Sequence, residues 1–244
     1  MKVIVFDIGA PFGHFRVPYT TTSPVTLPIP PKTAIAGMIG AIIGLDKDEY
    51  LKYFSAENFK VAIRVLNPIN MLHINENFIN VKVAKFFGRM VLGKANRTRI
   101  NIEFLKNPKF RLYIWHGRNE LYDNLKKQLE KHRSYYTLTM GLSECIANYE
   151  YKGEHILSMV ENNHDDMVSL HSVLPLSNFN AIVNNFKLGS VKRYLKVRLP
   201  VELSVERELI KTEDVLIERD GKTVDVKLGS FYHIEGMDDN VVLF

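Results

Sequence analysis

Cysteine is almost missing from this chain. Cys145 stands alone among 244 residues, which excludes an internal disulfide framework and any thiolate zinc cluster and suits a reducing compartment. Long apolar runs are missing as well. The strongest, residues 33–45, is about 13 residues long, whereas a helix crossing a bilayer needs roughly 20, so no membrane partner is expected. The opening residues reach Asp7 after a very short apolar run and offer neither a signal-length core nor a small-residue cleavage site, which makes the cytoplasm the expected location. Charge of one sign is not in large excess: 32 Lys and Arg against 27 Asp and Glu leave +5, so a polyanionic partner is admissible without being required.

Catalytic signatures are scarce too. Lys32-Thr33 has the ending of a phosphate-binding loop, yet Pro28-Ile29-Pro30-Pro31 before it cannot supply a glycine nest. Gly9 and Gly13 do not complete a dinucleotide-binding pattern. The eight histidines contain no His-x-x-x-His pair, and the nearest grouping, His164, Asp165, Asp166 and His171, reads as a solvated acidic loop. No Gly-x-Ser-x-Gly elbow occurs, and Cys145 beside Ile146 and Ala147 reads as buried and inert. Neither a metal nor a cofactor is expected.

What is present is an ordinary globular composition, 46% apolar and 24% charged, with readable periodicities. Residues 2–8 read as a strand covered on both faces. A long loop follows through Pro18, Pro24, Pro28, Pro30 and Pro31, and loops of that length tend to be functional. Residues 33–44 form an apolar helix ending at Gly44, with Gly37, Gly40 and Ala41 at a spacing that lets it lie close to a sheet. A short polar helix over 46–54, strands over 59–66, 78–87 and 110–115, a helix over 119–132, and strands over 135–138 and 145–151 complete the first part. The order β, α, β, β, α, β predicts an α+β fold, a ferredoxin-like (RRM-like) domain over 1–152. Strand-like runs at 191–203, 215–218, 223–228 and 231–234, with Asp220-Gly221 as a tight turn, predict a β-rich extension over 153–244 without a clean linker.

Two basic features stand out. The loop Gly13-His14-Phe15-Arg16-Val17-Pro18-Tyr19, followed by Thr20, Thr21, Thr22 and Ser23, gathers a cation, rings and hydroxyls, with Lys32 at the helix entrance. Such a set suits RNA, since cations meet phosphates, hydroxyls bond to phosphate and ribose oxygens, and rings stack on splayed bases. The competing reading is a proline-stiffened loop whose aromatics belong to the core. Residues 88–108, with Arg89, Lys94, Arg97, Arg99 and Lys106 against Glu103 alone, read as a basic hairpin or protrusion, a thumb over about 88–109.

The stretches Phe6-Asp7-Ile8-Gly9-Ala10-Pro11-Phe12-Gly13-His14-Phe15-Arg16, Thr20-Thr21-Thr22-Ser23 and Leu27-Pro28-Ile29-Pro30-Pro31-Lys32-Thr33-Ala34-Ile35-Ala36-Gly37 closely resemble the N-terminal signature of the CRISPR-associated "Cas five" family. Residues 96–101, 108–115 and Met140-Gly141-Leu142-Ser143-Glu144 are similar to later landmarks of that family, and the branch suspected is subtype I-B. The resemblance implies a member of the RAMP superfamily that acts in antiviral defence within the type I complex Cascade. There it would cap the 5′ handle of the guide RNA (crRNA), touch the backbone subunit through the thumb, and bind the large subunit, meeting target DNA only indirectly. It makes His14, Phe15, Arg16, Tyr19, Thr20, Thr21, Thr22 and Lys32 handle-binding candidates, with Arg89, Lys94, Arg97 and Arg99 on the thumb. One branch, subtype I-C, cleaves repeat RNA without a metal, using a tyrosine and an adjacent Lys-His pair. Here His116 follows Trp115, so the pair is missing, and Tyr19, Lys32 and His116 stand as the candidates of an alternative, a metal-independent endoribonuclease. A third reading is a protein-binding scaffold without RNA contacts.

Overall fold

The apolar run at the N-terminus forms strand β1 (Lys2–Gly9), buried on both faces. The computed structural model describes residues 1–20, 22–79, 97–163, 166–178 and 192–244. After the two-residue strand β2 (Phe12–Gly13), helix α1 spans Lys32–Ile43. It ends where Gly44 turns left-handed at φ 82° and donates its N–H to the Gly40 carbonyl at 2.9 Å. Ile35, Ile39 and Ile42 sink into the core. Gly37 and Gly40 lie under Tyr50 rather than under the sheet, so the small residues make room for an aromatic ring. Tyr50 belongs to a single 3-10 turn (Tyr50–Tyr53), all that forms of the helix expected over 46–54.

Next come β3 (Phe59–Val65), β4 (Asn70–Ile79), β5 (Arg97–Lys106), β6 (Lys109–His116), helix α2 (Asn119–Glu130) and β7 (Asn148–Glu161). The expected strand over 78–87 starts earlier, at Asn70, and residues 80–87 lie outside the described ones. Residues 135–138 do not form the expected strand. Their chain closes the end of α1 instead, Tyr135 and Tyr136 donating their N–H groups to the carbonyls of Ile42 and Ala41. The remaining strands are β8 (Met167–Leu170), β9 (Leu174–Pro175), β10 (Tyr194–Leu203), β11 (Leu209–Glu218), β12 (Val224–Lys227), β13 (Ser230–Ile234) and β14 (Asp239–Val241). The architecture is α+β with strands predominating.

The main sheet has the order β14-β13-β7-β1-β6-β3, every neighbour antiparallel. Alternation along β1 sends Ile4, Phe6 and Ile8 to the face covered by α1 and α2, and Val3, Val5 and Asp7 to the other. That second face is not open. Ile234, Val241 and Leu243 pack on Val3, Val5, Ala62 and Tyr113, and Phe244 exchanges backbone hydrogen bonds with Val61. A buried ionic cluster fastens this cover: Asp239 of β14 accepts from Arg64 and from the Tyr113 hydroxyl (2.5 Å), while Arg111 forks onto Asp7 at 2.7 and 3.1 Å. Burial and the Asp239 carboxylate hold the Tyr113 phenol far above its ordinary range.

Three smaller sheets accompany this body among the described residues: β2-β5-β4, β10-β11-β9 and β12-β8. No helix among the described residues is long and apolar enough to cross a membrane.

Candidate nucleic-acid interface

The proline-rich loop is built as a narrow hairpin of irregular backbone. Phe15 donates its N–H to Thr26 Oγ1 at 2.9 Å, Leu27 to the Phe15 carbonyl at 2.8 Å, and Val17 to the Val25 carbonyl at 2.9 Å. Alternation then decides which side chains face out. Phe15 and Val17 are buried and Arg16 is exposed. His14 is buried as well, its ring Nδ1 2.7 Å from the Glu103 carbonyl. Two of the expected handle contacts, His14 and Phe15, therefore have their side chains in the core, because each is tied by strand-like pairing to Thr26 or to β5. Tyr19 projects into solvent, 87% exposed, with Thr22 exposed near it. Arg16 donates to the Thr20 carbonyl at 2.8 Å and Thr20 Oγ1 to the Val17 carbonyl, so the turn tip is internally braced. Thr21 lies outside the described residues.

Facing the loop across a groove of about 860 Å³ is the exposed side of β10 and β11. The floor is apolar, from Val17, Leu27, Pro28, Val197 and Leu209, and the rim carries Tyr19, Lys196 and Arg198. Both cations hold Asp214, at 3.1 and 2.8 Å, and their hydrogen bonds draw its carboxyl down to about 2. Two cations against one carboxylate leave the rim positive. A chain bearing phosphates and flat bases meets here two cations on one wall, a free ring on the other and an apolar floor. Lys196 and Arg198 escaped the sequence reading, although residues two apart on a strand share a face and Lys192-Arg193-Tyr194-Leu195-Lys196-Val197-Arg198 displays the pattern.

The basic protrusion is the hairpin of β4 and β5, with Arg97 opposite Ile79 and Arg99 opposite Asn77. Its far end is exposed on both faces: Phe78, Ile79, Arg97, Thr98 and Arg99 all face solvent. Arg89 and Lys94 lie outside the described residues. While Glu76 of β4 pairs with Ile100, Glu103, the one acid of β5, is spent at the base of the hairpin. Its Oε1 accepts from Thr26 N–H at 3.1 Å, its own N–H goes to the Pro24 carbonyl, and its carbonyl holds His14. The hairpin and the loop are thus one braced unit, and Glu103 is engaged at its base rather than with the arginines.

Tyr19, Lys32 and His116 do not assemble. Tyr19 rims the groove, whereas Lys32 lines a different cavity. His116 is buried against Phe54 and Phe59, with Nε2 2.9 Å from the Tyr53 carbonyl and Nδ1 accepting the Arg118 N–H at 3.0 Å. Both ring nitrogens are engaged and burial lowers its basicity, so it serves packing. Cys145 is buried, its thiol pushed up to about 11 by desolvation.

Lys32 titrates unusually: burial first, then neighbouring Lys211 and Lys60 against the opposing pull of Glu202, brings its ammonium down to about 8. The folded chain therefore binds fewer protons than the unfolded one between about pH 8 and 10.5, so stability rises with pH across that window. From pH 7.5 to 9.5 wild type should gain, relative to Lys32→Met, about 2 kcal/mol, checked by urea unfolding of both proteins at the two pH values.

The family model described as CRISPR-associated protein (Cas_Cas5) matches residues 3–212. The structure is similar to a crystal structure of a CRISPR protein from Archaeoglobus fulgidus, with a TM-score of 0.55 and 14% identity, covering 99% of this chain and 98% of the other. It is also similar to a chain of a CRISPR RNA-guided surveillance complex, with a TM-score of 0.50, 12% identity, and 93% and 92% of the two chains covered. No curated protein matches the sequence.

Proposed function

Because this chain belongs to the CRISPR-associated Cas5 family, we propose that it is the RNA-binding subunit of a Cascade-type surveillance complex, of subtype I-B, holding the 5′ handle of the guide RNA. The observation that carries this reading is the groove between the loop and β10. It has an exposed tyrosine on one wall, paired cations on the other, and an apolar floor between them.

The sheet order β7-β1-β6-β3 under two helices fits a ferredoxin-like, RRM-like core. In such cores RNA is commonly stacked on the helix-free face of the sheet. Here that face is sealed by the last residues and the Asp239 cluster, so the RNA is assigned to the edge: the loop, the groove and the β4–β5 hairpin. The thumb, expected over about 88–109 and including β5 of this hairpin, reaches toward the backbone subunit, with Arg97 and Arg99 on the RNA it crosses. The β-rich residues 153–244 supply the second wall of the groove and a surface for the large subunit.

Tyr19→Ala removes a stacking ring without touching a buried contact. Retention of guide RNA should fall roughly tenfold, within the about 1–3 kcal/mol that a stacked base is worth. Filter binding of cognate repeat RNA in EDTA measures this, beside Arg97→Ala with Arg99→Ala. If RNA retention and its salt dependence are unchanged in that double variant, the thumb assignment is wrong.

A further inference from the structure

Lys32 has no place in the groove, and its surroundings ask for a ligand. It is the first residue of a twelve-residue helix whose N-cap is Pro31, with no side-chain cap and no acid in the first turn. The positive end of α1 is therefore uncompensated by the chain itself. Lys32 is buried, 4% exposed as a residue, and no hydrogen bond or ion pair is made by its ammonium among the described residues. Its ring contact among the described residues is the face of Phe59, 5.5 Å from Nζ to the centroid, and Glu202 attracts it only as a nearby charge.

The ammonium lines a cavity of about 210 Å³ between the start of α1, β3 and the β10–β11 hairpin. Lys60 and Lys211 line it too. The two acids there are partly committed: Glu213 accepts the Ser177 N–H at 2.8 Å, and Glu202 the Ala56 N–H at 3.4 Å. Three side-chain cations against two side-chain carboxylates leave the lining side chains with a surplus positive charge, and none of the three ammonium groups makes a hydrogen bond or ion pair among the described residues, Lys32 being the most buried of them.

We propose that this cavity is a phosphate-class anion site, in which Lys32 is the central donor and Lys60 and Lys211 the flanking ones. A lone buried ammonium is costly, and a hydrogen-bonded counter-ion is what removes the cost. Size favours a small tetrahedral oxyanion, because cavities for drug-sized ligands begin at about 300 Å³. Lysines act on phosphate as mobile point charges, and a helix N-terminus adds amide dipoles of the right sign. The depressed basicity of Lys32 agrees, since it is the behaviour of an ammonium awaiting its anion. The same chemistry has two sources, free orthophosphate or the terminal phosphomonoester of an oligonucleotide. The site does not depend on the RNA reading above.

The test uses the full chain in chloride buffer at pH 7 with inorganic phosphate as the probe, followed by titration calorimetry and thermal unfolding. Saturable binding near one equivalent is expected, together with a melting temperature that rises with phosphate. Lys32→Met should abolish both effects while melting, without phosphate, no lower than wild type, because an uncompensated buried charge is replaced by a well-fitting apolar chain. Lys211→Met, whose side chain is exposed, should weaken binding about tenfold and keeps the proposal testable if Lys32→Met folds poorly. Failure of phosphate to bind, or equal binding by both variants and wild type, overturns the site. So does a Lys32→Met protein that is less stable than wild type while Lys211→Met binds normally, since Lys32 is then a structural lysine. A competition between phosphate and 5′-phosphorylated or 5′-hydroxyl oligonucleotides assigns the source. Competition by the phosphorylated strand alone identifies the phosphomonoester, and none by either identifies free phosphate; both outcomes require the site.

Discussion

Gly141→Ala should be among the most damaging single-methyl changes this protein can receive. Gly141 sits at φ +91°, and a Cβ there would stand 1.8 Å from the His14 carbonyl oxygen and 2.7 Å from its carbon. The obstacle is backbone, which cannot rotate away as a side-chain tip can. It is also backbone that the neighbouring residue holds, since Met140 accepts the His14 N–H at 2.9 Å. The loop must therefore leave the turn at 140–141, giving up that bond and the His14 contact with Glu103 that joins the loop to the hairpin. A positive φ alone costs about 1 kcal/mol in a residue other than glycine, and a lost buried hydrogen bond adds a similar amount. With the clash, the expected destabilisation exceeds about 3 kcal/mol, or roughly 10 °C in melting temperature. Gly37→Ala is the matched control. A Cβ at that helical position meets only Tyr50 at 3.8 Å, and alanine's better helix propensity should leave the protein equal or more stable by about 0.5–1 kcal/mol. Thermal unfolding of the two variants side by side separates a glycine the turn requires from one it merely contains.

The second large effect is expected at Asp239→Ala. Asp239 is 3% exposed in its side chain and receives Arg64 and the Tyr113 hydroxyl, with Arg111 at 3.6 Å and His171 at 3.9 Å. Removing it leaves two guanidinium groups facing the interior with Asp7 as their single remaining buried carboxylate among the described residues. Breaking one side of a buried pair in this way costs about 3–5 kcal/mol, much more than the pair itself contributes. The location makes the consequence specific. Asp239 is on β14, whereas Arg64, Arg111 and Tyr113 are on β3 and β6, so the change should loosen the cover over the helix-free face. Amide exchange should accelerate in residues 234–244 before it does in β1. Uniform exchange across the molecule would show instead that the cover and the sheet unfold as one unit.

The elements legible in the sequence were those whose burial leaves a periodic trace. β1 is buried on both faces, β3 and β6 alternate with Phe59, Val61, Ile63 and Phe110, Leu112, Ile114 on their core side, and α2 carries Tyr122, Leu125 and Leu129 on one buried side. β4 left no such trace, because Asn70–Ile79 belongs to a projecting hairpin and buries almost none of its side chains. Residues 135–138 look like a strand in composition, yet their donors are taken by the end of α1, a tertiary fact that propensity cannot carry. The same limit shaped the candidate site. Arg16, Tyr19 and Thr22 were readable as a polar, proline-stiffened turn and are exposed there. His14 and Phe15 carry the same residue chemistry but fall on the inward positions of the loop hairpin, a register fixed by Thr26 and Glu103 far along the chain. The second wall of the groove comes from β10, some 170 residues after the loop, and only folding brings the two together.

One measurement bears most directly on the RNA-binding claim: the salt dependence of cognate repeat RNA binding by the full chain, for wild type and for Lys196→Ala with Arg198→Ala. Each lost phosphate contact lowers the slope of log K against log salt by about 0.7 for a single strand, so the double variant should bind more weakly with a slope smaller by about 1.4. Equal affinity and an equal slope in the two proteins would contradict the assignment of the RNA to this groove.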